Sequence, residues 1–533
     1  MLEQFSREYL QLFPQARILV ATKDDVTPAR RKNFVARCAT GDWDAVIMTR
    51  SSFELIPVSA DAQSRFLAAK TAAYRAAIEA AKDRGGLSVK QLQKALVRVE
   101  EKHRTLLAAQ KKDDGISFES TGIDYLAVDE AQYHKGLYRP SRIQGAAHKG
   151  AQRAEDLAMK LAVLRDRHGP RVCTLATATP IANSIAEMWV MQSYLQPAAL
   201  EAAGLAPFDG WAATFGRTVT AVELSPDGSS YRMSSRFARF ANVPELLTMF
   251  GAVADVVTRD DLSDGALPLD VPDIAGGGPQ IVIVPPGDGL TEYMAELLER
   301  AEKVRNRQVR PEQDNMLAIG NDGRAAALDL RLVGRPPDDT GKVAVAAERI
   351  TALWEQTRHL RYRAPDGTPW ARPGALQLVF CDLSTPKKGK EWSVYQDLRD
   401  RLHAAGIPHG QVRFIHEAPN DKAKGELFAA CRDGRVSVLI GSTDKMGVGV
   451  NVQARMVAIH HLDCPWWPSS IEHFATEGGS AKATRTTSST SCATPPSRAS
   501  TCTTGLLTVL AQASPEGLGL GVRIVRVGEA SSG

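Results

Sequence analysis

The chain has 533 residues, of which 44% are hydrophobic and 24% charged, and its formal net charge is +4. A chain of this length is too long for one hydrophobic core and is expected to fold as about two to four domains. The ordinary composition excludes a wholly disordered, collagen-like or disulfide-stapled chain. The net charge is too small to identify a nucleic-acid partner, so such a partner has to be inferred from local patches.

Cysteines and apolar runs narrow the class of protein further. Seven cysteines are scattered along the chain with no C-x-x-C pair, which argues against a zinc ribbon and fits reduced intracellular thiols. No apolar run approaches the ~18 residues of a membrane span, and the first residues lack the basic and apolar regions of a signal peptide. We therefore expect a soluble, cytoplasmic protein with no membrane partner.

The first half of the chain alternates short apolar runs with helical patterns, which is typical of a parallel sheet. The predicted strands are 17–22, 44–49, 123–128 and 171–176. Residues 61–112 are rich in Ala, Lys, Arg, Glu and Leu, and they predict two long helices that form an inserted hairpin. Residues 183–263 are predicted to be mostly helical, and the first domain is predicted to span 1–265.

A second α/β domain is predicted after a linker rich in Gly and Pro at 266–279. This domain spans 280–475, with helices near 290–307 and 341–358. Its predicted strands are 280–284, 376–380, 412–415, 436–440 and 456–459. The tail, 476–533, is rich in Ser and Thr. It cannot bury enough apolar surface to offset its ordering entropy, so we expect disorder there.

Two adjacent carboxylates, Asp129 and Glu130, directly follow the predicted strand that ends at Val128. At the carboxyl end of a parallel strand they lie in the crevice where such sheets bind ligands. Asp129 can hold Mg²⁺ through water, and Glu130 can orient or deprotonate an attacking water, which is the division of labour that phosphoryl transfer needs. The alternative, which is more frequent for an isolated Asp-Glu pair, is a solvated strand end.

Hydroxyl and glycine residues follow two other predicted strands. Thr177 and Thr179 follow strand 171–176, where their hydroxyls can link the carboxylate pair to the state of a nucleotide. After strand 436–440, glycines allow close backbone approach to a phosphate or sugar, and neighbouring polar groups offer hydrogen bonds and charge. The candidate binding residues of this segment are Thr443, Lys445, Gly447, Gly449, Asn451 and Gln453. The alternative is a Gly-rich turn between a strand and a helix.

Basic residues near the strand ends are candidates for phosphate contacts, which give affinity without sequence specificity. These candidates are Arg50, Lys135, Arg139, Arg142, Lys149, Lys387, Lys388 and Lys390. For each of them the alternative is a solvated surface charge.

Together, these motifs resemble those of the superfamily-two helicases and translocases, in particular the Swi/Snf-like branch found in phage- and plasmid-borne DNA methylase–helicase proteins. Residues 129–137 are similar to motif II, with Gln132 in the place where His is usual. Residues 42–53 resemble the motif Ib region, 177–184 motif III and 441–453 motif V. The resemblance runs from about residue 12 to Glu472.

The resemblance implies two tandem RecA-like parallel-sheet domains that bind ATP and Mg²⁺ between them and move on DNA. It implies that Asp129 binds the metal, that Glu130 activates water, and that Gln132 belongs to the same catalytic set. Thr177 and Thr179 would couple hydrolysis to movement, and the segment at 443–453 would face the nucleotide or DNA. A methyltransferase domain encoded upstream is a further implied partner.

Two motifs of that family do not occur in this sequence. No segment fits the P-loop pattern G-x-x-x-x-G-K-[ST], and Ile471-Glu472 is not continued as an Ile-Glu-Gln-Arg-x-Gly-Arg motif VI. We therefore expect a chain that begins inside the first domain and carries a frameshift near His473. The expected function is that of a fragment of an ATP-dependent DNA helicase or translocase. The alternative is a non-catalytic DNA-binding or interaction module, or an inactive pseudogene product.

Overall fold

A computed structural model describes residues 2–82, 117–257, 280–446, 452–463 and 488–493, together with positions 93, 96, 97, 100 and 101. Short gaps inside these ranges fall at residues 23, 28, 142, 144, 183, 225–230, 339, 363–367 and 388–391. The chain divides into two compact units. Among the described residues, unit 1 comprises those of 2–220 and 235–257, and unit 2 comprises those of 221–234 and 280–493. The domain limits proposed from the sequence stay predictions.

The first half of the chain contains two short parallel strand pairs and one longer ribbon. Its strands are β1 (Ile18–Ala21), β2 (Ala45–Met48), β3 (Leu126–Val128), β4 (Cys173–Leu175), β5 (Gly216–Leu224) and β6 (Tyr231–Phe240). β1 pairs with β2, and β3 with β4, each in parallel. β5 and β6 pair with each other as a separate sheet. Because their connection is too short for a crossover, this ribbon is antiparallel.

Helices surround the strand pairs of this half and supply most of its core. They are α1 (Leu2–Leu12), α2 (Arg31–Thr40), α3 (Arg50–Phe53), α4 (Ala60–Lys82), α5 (Gln152–His168), α6 (Ala186–Leu195), α7 (Pro197–Ala202), α8 (Phe208–Phe215) and α9 (Val243–Gly251). Leu157, Leu161 and Leu164 recur at helical spacing on α5 and are all buried. Tyr194 of α6 is also buried, and its hydroxyl lies 2.8 Å from the His134 carbonyl, to which it donates.

The second half of the chain contains one six-stranded parallel sheet with helices. The strands are β7 (Gln280–Ile283), β8 (Leu376–Phe380), β9 (Val412–Phe414), β10 (Val438–Gly441), β11 (Met456–His461) and β12 (Ser488–Ala493). The helices are α10 (Asp288–Arg305), α11 (Met316–Leu328), α12 (Lys342–Thr357), α13 (Val394–Ala404), α14 (Asp421–Arg432) and α15 (Thr443–Met446). The strand order is β7-β12-β11-β8-β10-β9, with every pair parallel.

The central strand β8 is covered by side-chain packing on both faces of the sheet. Leu378 and Phe380 pack on one side of the sheet in the same cluster as Leu427 of α14. Val379, between them, packs on the other side in the same cluster as Ile350 of α12. Since both faces are covered, every residue of β8 is buried.

The predicted α/β fold with parallel sheets is confirmed, and every predicted strand is present. The prediction was wrong for β5 and β6, which lie in a stretch expected to be mostly helical. The sequence does carry a signal for them. β-Branched residues at 218–220 favour a strand, and Pro-Asp-Gly at 226–228 favours a turn.

Two other predicted segments are described only in part. In the predicted hairpin at 61–112, α4 forms the first helix, and Arg75 of α4 pairs with Glu100 at 2.7 Å. Most of the second arm lies outside the described residues. Of the tail at 476–533, only β12 is described, and it pairs with β7 and β11. In β12 the structure differs from the predicted disorder, because hydrogen bonds to two strands satisfy its backbone. The rest of the tail lies outside the described residues.

In the part of the chain that the structure describes, no helix combines the length and the apolar character needed to cross a bilayer.

Candidate active site at the ends of β3 and β4

The loops that follow β3 and β4 run side by side. The Ala176 amide donates to the Val128 carbonyl at 2.8 Å, and the Ala131 amide donates to the Ala176 carbonyl at 2.9 Å. The parallel pairing of the two strands thus continues into their connecting loops. As a result, the carboxylate segment at 129–130 and the threonine segment at 177–179 lie at the same edge of the pair.

The carboxylate segment adopts a turn with an unusual backbone. Glu130 has φ 55° and ψ 46°, in the left-handed region, which a residue with a side chain adopts at a cost of roughly 1–2 kcal/mol. Asp129 is exposed and accepts a hydrogen bond from the Glu130 amide at 2.9 Å. Glu130 is half-buried and accepts a hydrogen bond from the Gln132 side-chain amide. A strained turn that persists in a folded chain is typical of functional sites.

Gln132 joins the two loops. Its Nε2 donates to Glu130, and its Oε1 accepts a hydrogen bond from the Thr177 hydroxyl at 2.7 Å. The Thr177 hydroxyl in turn accepts from the Thr179 amide at 3.1 Å. The structure therefore brings Glu130, Gln132, Thr177 and Thr179 into one hydrogen-bonded chain, which we call the Gln132 relay. The structure places the side-chain amide of Gln132 between the Thr177 hydroxyl and the Glu130 carboxylate.

Lys135 does not lie where the sequence interpretation put it. Its side chain is buried, its Nζ is 3.1 Å from Glu187 Oε2, and it donates to the Thr179 carbonyl. Glu187 also accepts the Ala182 amide at 2.7 Å. Burial lowers the pKa of Lys135, and the attraction of Glu187 opposes that shift. Lys135 therefore holds the loop after β4 in place, and we correct its expected role as a surface contact for phosphate.

Arg139 is a second basic candidate that is buried. Its Nε donates to the Ala146 carbonyl at 2.7 Å, and its guanidinium lies 4.9 Å from the centre of the Phe208 ring. Burial lowers the pKa of Arg139 to about 10. Lys149 is exposed, and Arg142 lies outside the described residues. Sequence shows which residues are charged but not which of those charges fold inward.

Arg50 lies beside the carboxylate loop. It begins α3, and its guanidinium carbon is 3.8 Å from the centre of the Tyr133 ring, three residues beyond Glu130. Its Nε is also 3.7 Å from Glu54, and its side chain is 40% exposed. Of the two basic residues expected beside this site, Arg50 therefore keeps a partly exposed charge and Lys135 does not.

In the second half of the chain, the candidate segment after β10 is described only at its beginning. The Thr443 amide donates to Asp382 Oδ1 at 2.6 Å, and Lys445 is exposed. Three other candidates lie outside the described residues, namely Gly447, Gly449 and Asn451. The backbone of Gln453 begins a short 3₁₀ turn. Lys387 is exposed, and Lys388 and Lys390 also lie outside the described residues.

Sequence reasoning missed two carboxylates that hold this segment. Asp463 is buried after β11, and it accepts the amides of Asp382 at 3.0 Å and Leu383 at 2.8 Å. Burial raises the pKa of Asp463. Asp382 in turn accepts a hydrogen bond from the Thr443 amide. Hydrogen bonds therefore connect the segments that follow β8, β10 and β11. Each carboxylate follows a buried strand closely, as Asp129 follows β3, and this signal was available in the sequence.

The carboxylate loop offers few ligands for a metal ion. Within the described residues, no group of three or more His, Cys, Asp or Glu side chains is arranged to hold one. Mg²⁺ is commonly held by one or two carboxylates together with waters and substrate phosphates. The exposed Asp129 fits such a site if a nucleotide supplies the other oxygens.

The comparison with protein families gives one match. A family model described as a probable helicase domain matches residues 2–258, just under half of the chain. A search of curated proteins finds no match. The matched segment contains the whole Gln132 relay, together with Arg50 and Lys135.

Solved structures give weaker likenesses. The C-terminal domain of the DEAD-box protein Dbp5 is 16% identical, with 33% of this chain and 80% of that chain covered and a TM-score of 0.21. S. cerevisiae Dbp5 bound to RNA and ADP BeF3 is 13% identical, with 34% of this chain and 38% of that chain covered and a TM-score of 0.23. At such TM-scores these likenesses carry no argument. The family match shows that residues 2–258 are similar to a probable helicase domain.

Proposed function

We propose that this chain is the helicase-type part of an ATP-dependent DNA helicase or translocase of the methylase–helicase type. The Gln132 relay carries the proposal, because it joins a carboxylate loop to a hydroxyl loop inside the segment matched by the helicase-domain family. A cytoplasmic location and an upstream methyltransferase partner belong to the same proposal. The motif resemblance supports the methyltransferase partner, and the scattered cysteines without a C-x-x-C pair support the location.

In this function each residue of the loop has a separate task. Asp129 is the exposed carboxylate that would hold Mg²⁺ through water, and the metal supplies charge stabilisation to the transferring phosphate. Glu130 orients the attacking water. Because Gln132 bonds both Glu130 and Thr177, any change in the charge or hydrogen bonding of Glu130 alters the position of the loop at 177–179. That link couples the chemistry to movement.

The test of this proposal is ATP hydrolysis by a chimera. Residues 2–472 are joined behind the P-loop strand and helix of a methylase–helicase relative and are followed by its arginine motif. We expect DNA-stimulated hydrolysis, and we expect Glu130→Gln to reduce it by about 10²-fold or more, because the water loses its orienting base. Asp124→Asn is the matched control, since Asp124 is an exposed carboxylate that precedes the same strand.

If the chimera hydrolyses ATP at an unchanged rate after Glu130→Gln, Glu130 does not take part in the chemistry. The 533-residue chain itself carries no P-loop, so we expect no DNA-stimulated hydrolysis from it. Turnover by the chain alone, lost on Glu130→Gln, would show that other residues hold the nucleotide.

A non-catalytic DNA-binding module is the second candidate, and the missing P-loop favours it. The same chimera separates the two functions. A chimera that binds duplex DNA with the steep salt dependence of phosphate contacts, yet never hydrolyses ATP, supports the binding module.

A further inference from the structure

The ribbon formed by β5 and β6 is long, and several of its described side chains are exposed. Its strands have 9 and 10 residues, which corresponds to about 30 Å at ~3.3 Å per residue. An isolated two-stranded ribbon is at best marginally stable in water. A feature of this kind is better explained by a partner than by its contribution to the core.

Aromatic packing fixes the base of the ribbon. The ring of Phe237 on β6 is buried and lies 5.9 Å from that of Phe208 on α8, edge to face. The same ring covers Gly216 on β5, where an added Cβ would overlap the Phe237 ring. The Ala241 amide donates to the Phe215 carbonyl at 2.9 Å and closes the base.

The exposed side chains of the ribbon that the structure describes include arginines, threonines and apolar residues. Arg217, Arg236 and Arg239 are all exposed, and no acidic side chain occurs among the ribbon side chains that the structure describes. From Gly216 to Phe240 the sequence has four arginines against one Glu and one Asp. Val222 and Met233 are 63% and 68% exposed. Exposed arginines can bind phosphates and base edges, and exposed apolar groups can contact thymine methyl groups.

We propose that the β5–β6 ribbon is a contact surface for duplex DNA. The major groove of B-DNA admits a two-stranded β-ribbon, and arginine binds phosphates and guanine edges through its fixed fork of donors. Val222 and Met233 supply apolar contact of the kind that thymine methyl groups accept. A-form RNA presents a deep, narrow major groove that excludes such a ribbon. Charge complementarity therefore points to a polyanion, and the ribbon's shape points to B-DNA.

This inference rests on the DNA-binding part of the proposed function, and one titration tests both. Binding of the 533-residue chain to a labelled DNA duplex is measured across a series of salt concentrations. For Arg217→Ala/Arg236→Ala/Arg239→Ala we expect weaker binding. We also expect the slope of log K against log salt to fall by about 0.9 for each arginine that contacts a phosphate.

Two control variants separate a lost contact from a lost fold. Arg65→Ala/Arg75→Ala removes two arginines of α4 that are 61% and 65% exposed and are paired with Asp61 and Glu100. We expect it to leave the salt slope unchanged. Replacing the three ribbon arginines with Lys keeps the charge, so we expect it to restore most of the slope.

Each outcome of the titration has a separate meaning. If the triple Ala variant binds DNA strongly and its slope of log K against log salt is unchanged, the ribbon is not the DNA contact. The proposed function is not affected by that result. No DNA binding by the unmodified chain would overturn both. A duplex RNA of the same sequence is expected to bind more weakly and without dependence on the ribbon. Equal, ribbon-dependent RNA binding would overturn the assignment to DNA.

Discussion

At the scale of single residues, burial decides which charged groups serve the site. Lys135 and Glu187 form an ion pair whose side chains are 8% and 10% exposed, and between them they bond the Thr179 carbonyl and the Ala182 amide. A buried pair of this kind contributes little net stability, but the loss of one partner leaves an uncompensated charge. The pair therefore sets the shape of the loop after β4.

Lys135→Met is expected to destabilise the chain by about 3–5 kcal/mol, because Glu187 is left charged and buried. Urea unfolding followed by tryptophan fluorescence measures the loss. The double variant Lys135→Met/Glu187→Gln should recover part of it, since it removes the charge and keeps an oxygen for the Ala182 amide. Lys149→Met, at an exposed lysine, should change little. Equal effects of Lys135→Met and Lys149→Met would show that the ion pair is unimportant.

A buried histidine next to the site predicts a pH dependence. His134 is 3% exposed, and burial lowers its pKa to about 4 from an ordinary value of 6.5. Because the folded-state pKa lies below the unfolded one, the stabilisation is present above pH 6.5 and is lost as pH falls towards 4. We expect the urea midpoint to drop in this window and His134→Gln to reduce the drop. His168→Gln, at an exposed histidine, is the control. If His168→Gln reduced the drop in the urea midpoint as much as His134→Gln does, the assignment of this pH dependence to His134 would be wrong.

At the scale of elements, the packing at the base of the ribbon requires a glycine at position 216. Any side chain at Gly216 collides with the Phe237 ring, which packs on Phe208. Overpacking of a well-filled contact costs typically about 1–3 kcal/mol. The anchoring of β6 on α8 thus links a surface element to the aromatic core.

Gly216→Ala is therefore expected to lower the melting temperature and to reduce protease resistance within 216–240. Adding Phe237→Leu removes the colliding ring atoms and should restore part of the loss. Gly251→Ala is the matched control, because an added Cβ there meets nothing within 4 Å. If Gly216→Ala leaves both measurements unchanged, the ring does not hold the base of the ribbon.

At the scale of the whole molecule, the two halves of the chain differ in how their strands are protected. β8 has parallel neighbours on both sides and helices on both faces, whereas among the described residues β1 to β4 form two-stranded pairs. Backbone amides between two neighbouring strands exchange only when a large part of the sheet opens. Stability should therefore be unevenly distributed along the chain.

Hydrogen exchange followed by mass spectrometry tests this expectation on the full chain. Peptides that cover β8, β10 and β11 should be the slowest to exchange, and those that cover β1 and β2 should exchange markedly faster. Leu12, at the end of α1, and Phe13, which follows it, are 76% and 55% exposed and add little burial to the β1–β2 region. Uniform exchange across both halves would contradict the uneven distribution.

The sequence by itself determined the strands and the polar residues that follow them. Apolar runs predicted β3, β4, β8 and β10. In β10, where every residue is buried, the run is unbroken because a strand covered on both faces has no polar alternation. The same patterns placed Asp129, Glu130 and Thr177 at strand ends, and the parallel pairing then brings those ends together. Strand position is a local property of the chain, so local patterns predict it.

Only the tertiary structure decided which charges are buried and which carboxylates tie distant loops. Lys135 and Arg50 look alike in sequence, yet one is paired inside the fold and the other is partly exposed beside Tyr133. Asp463 and Asp382 acquire their roles from amides far away along the chain. The free energy of a charged group depends on its solvent exposure and its partners, and both are set by residues that meet only when the chain folds.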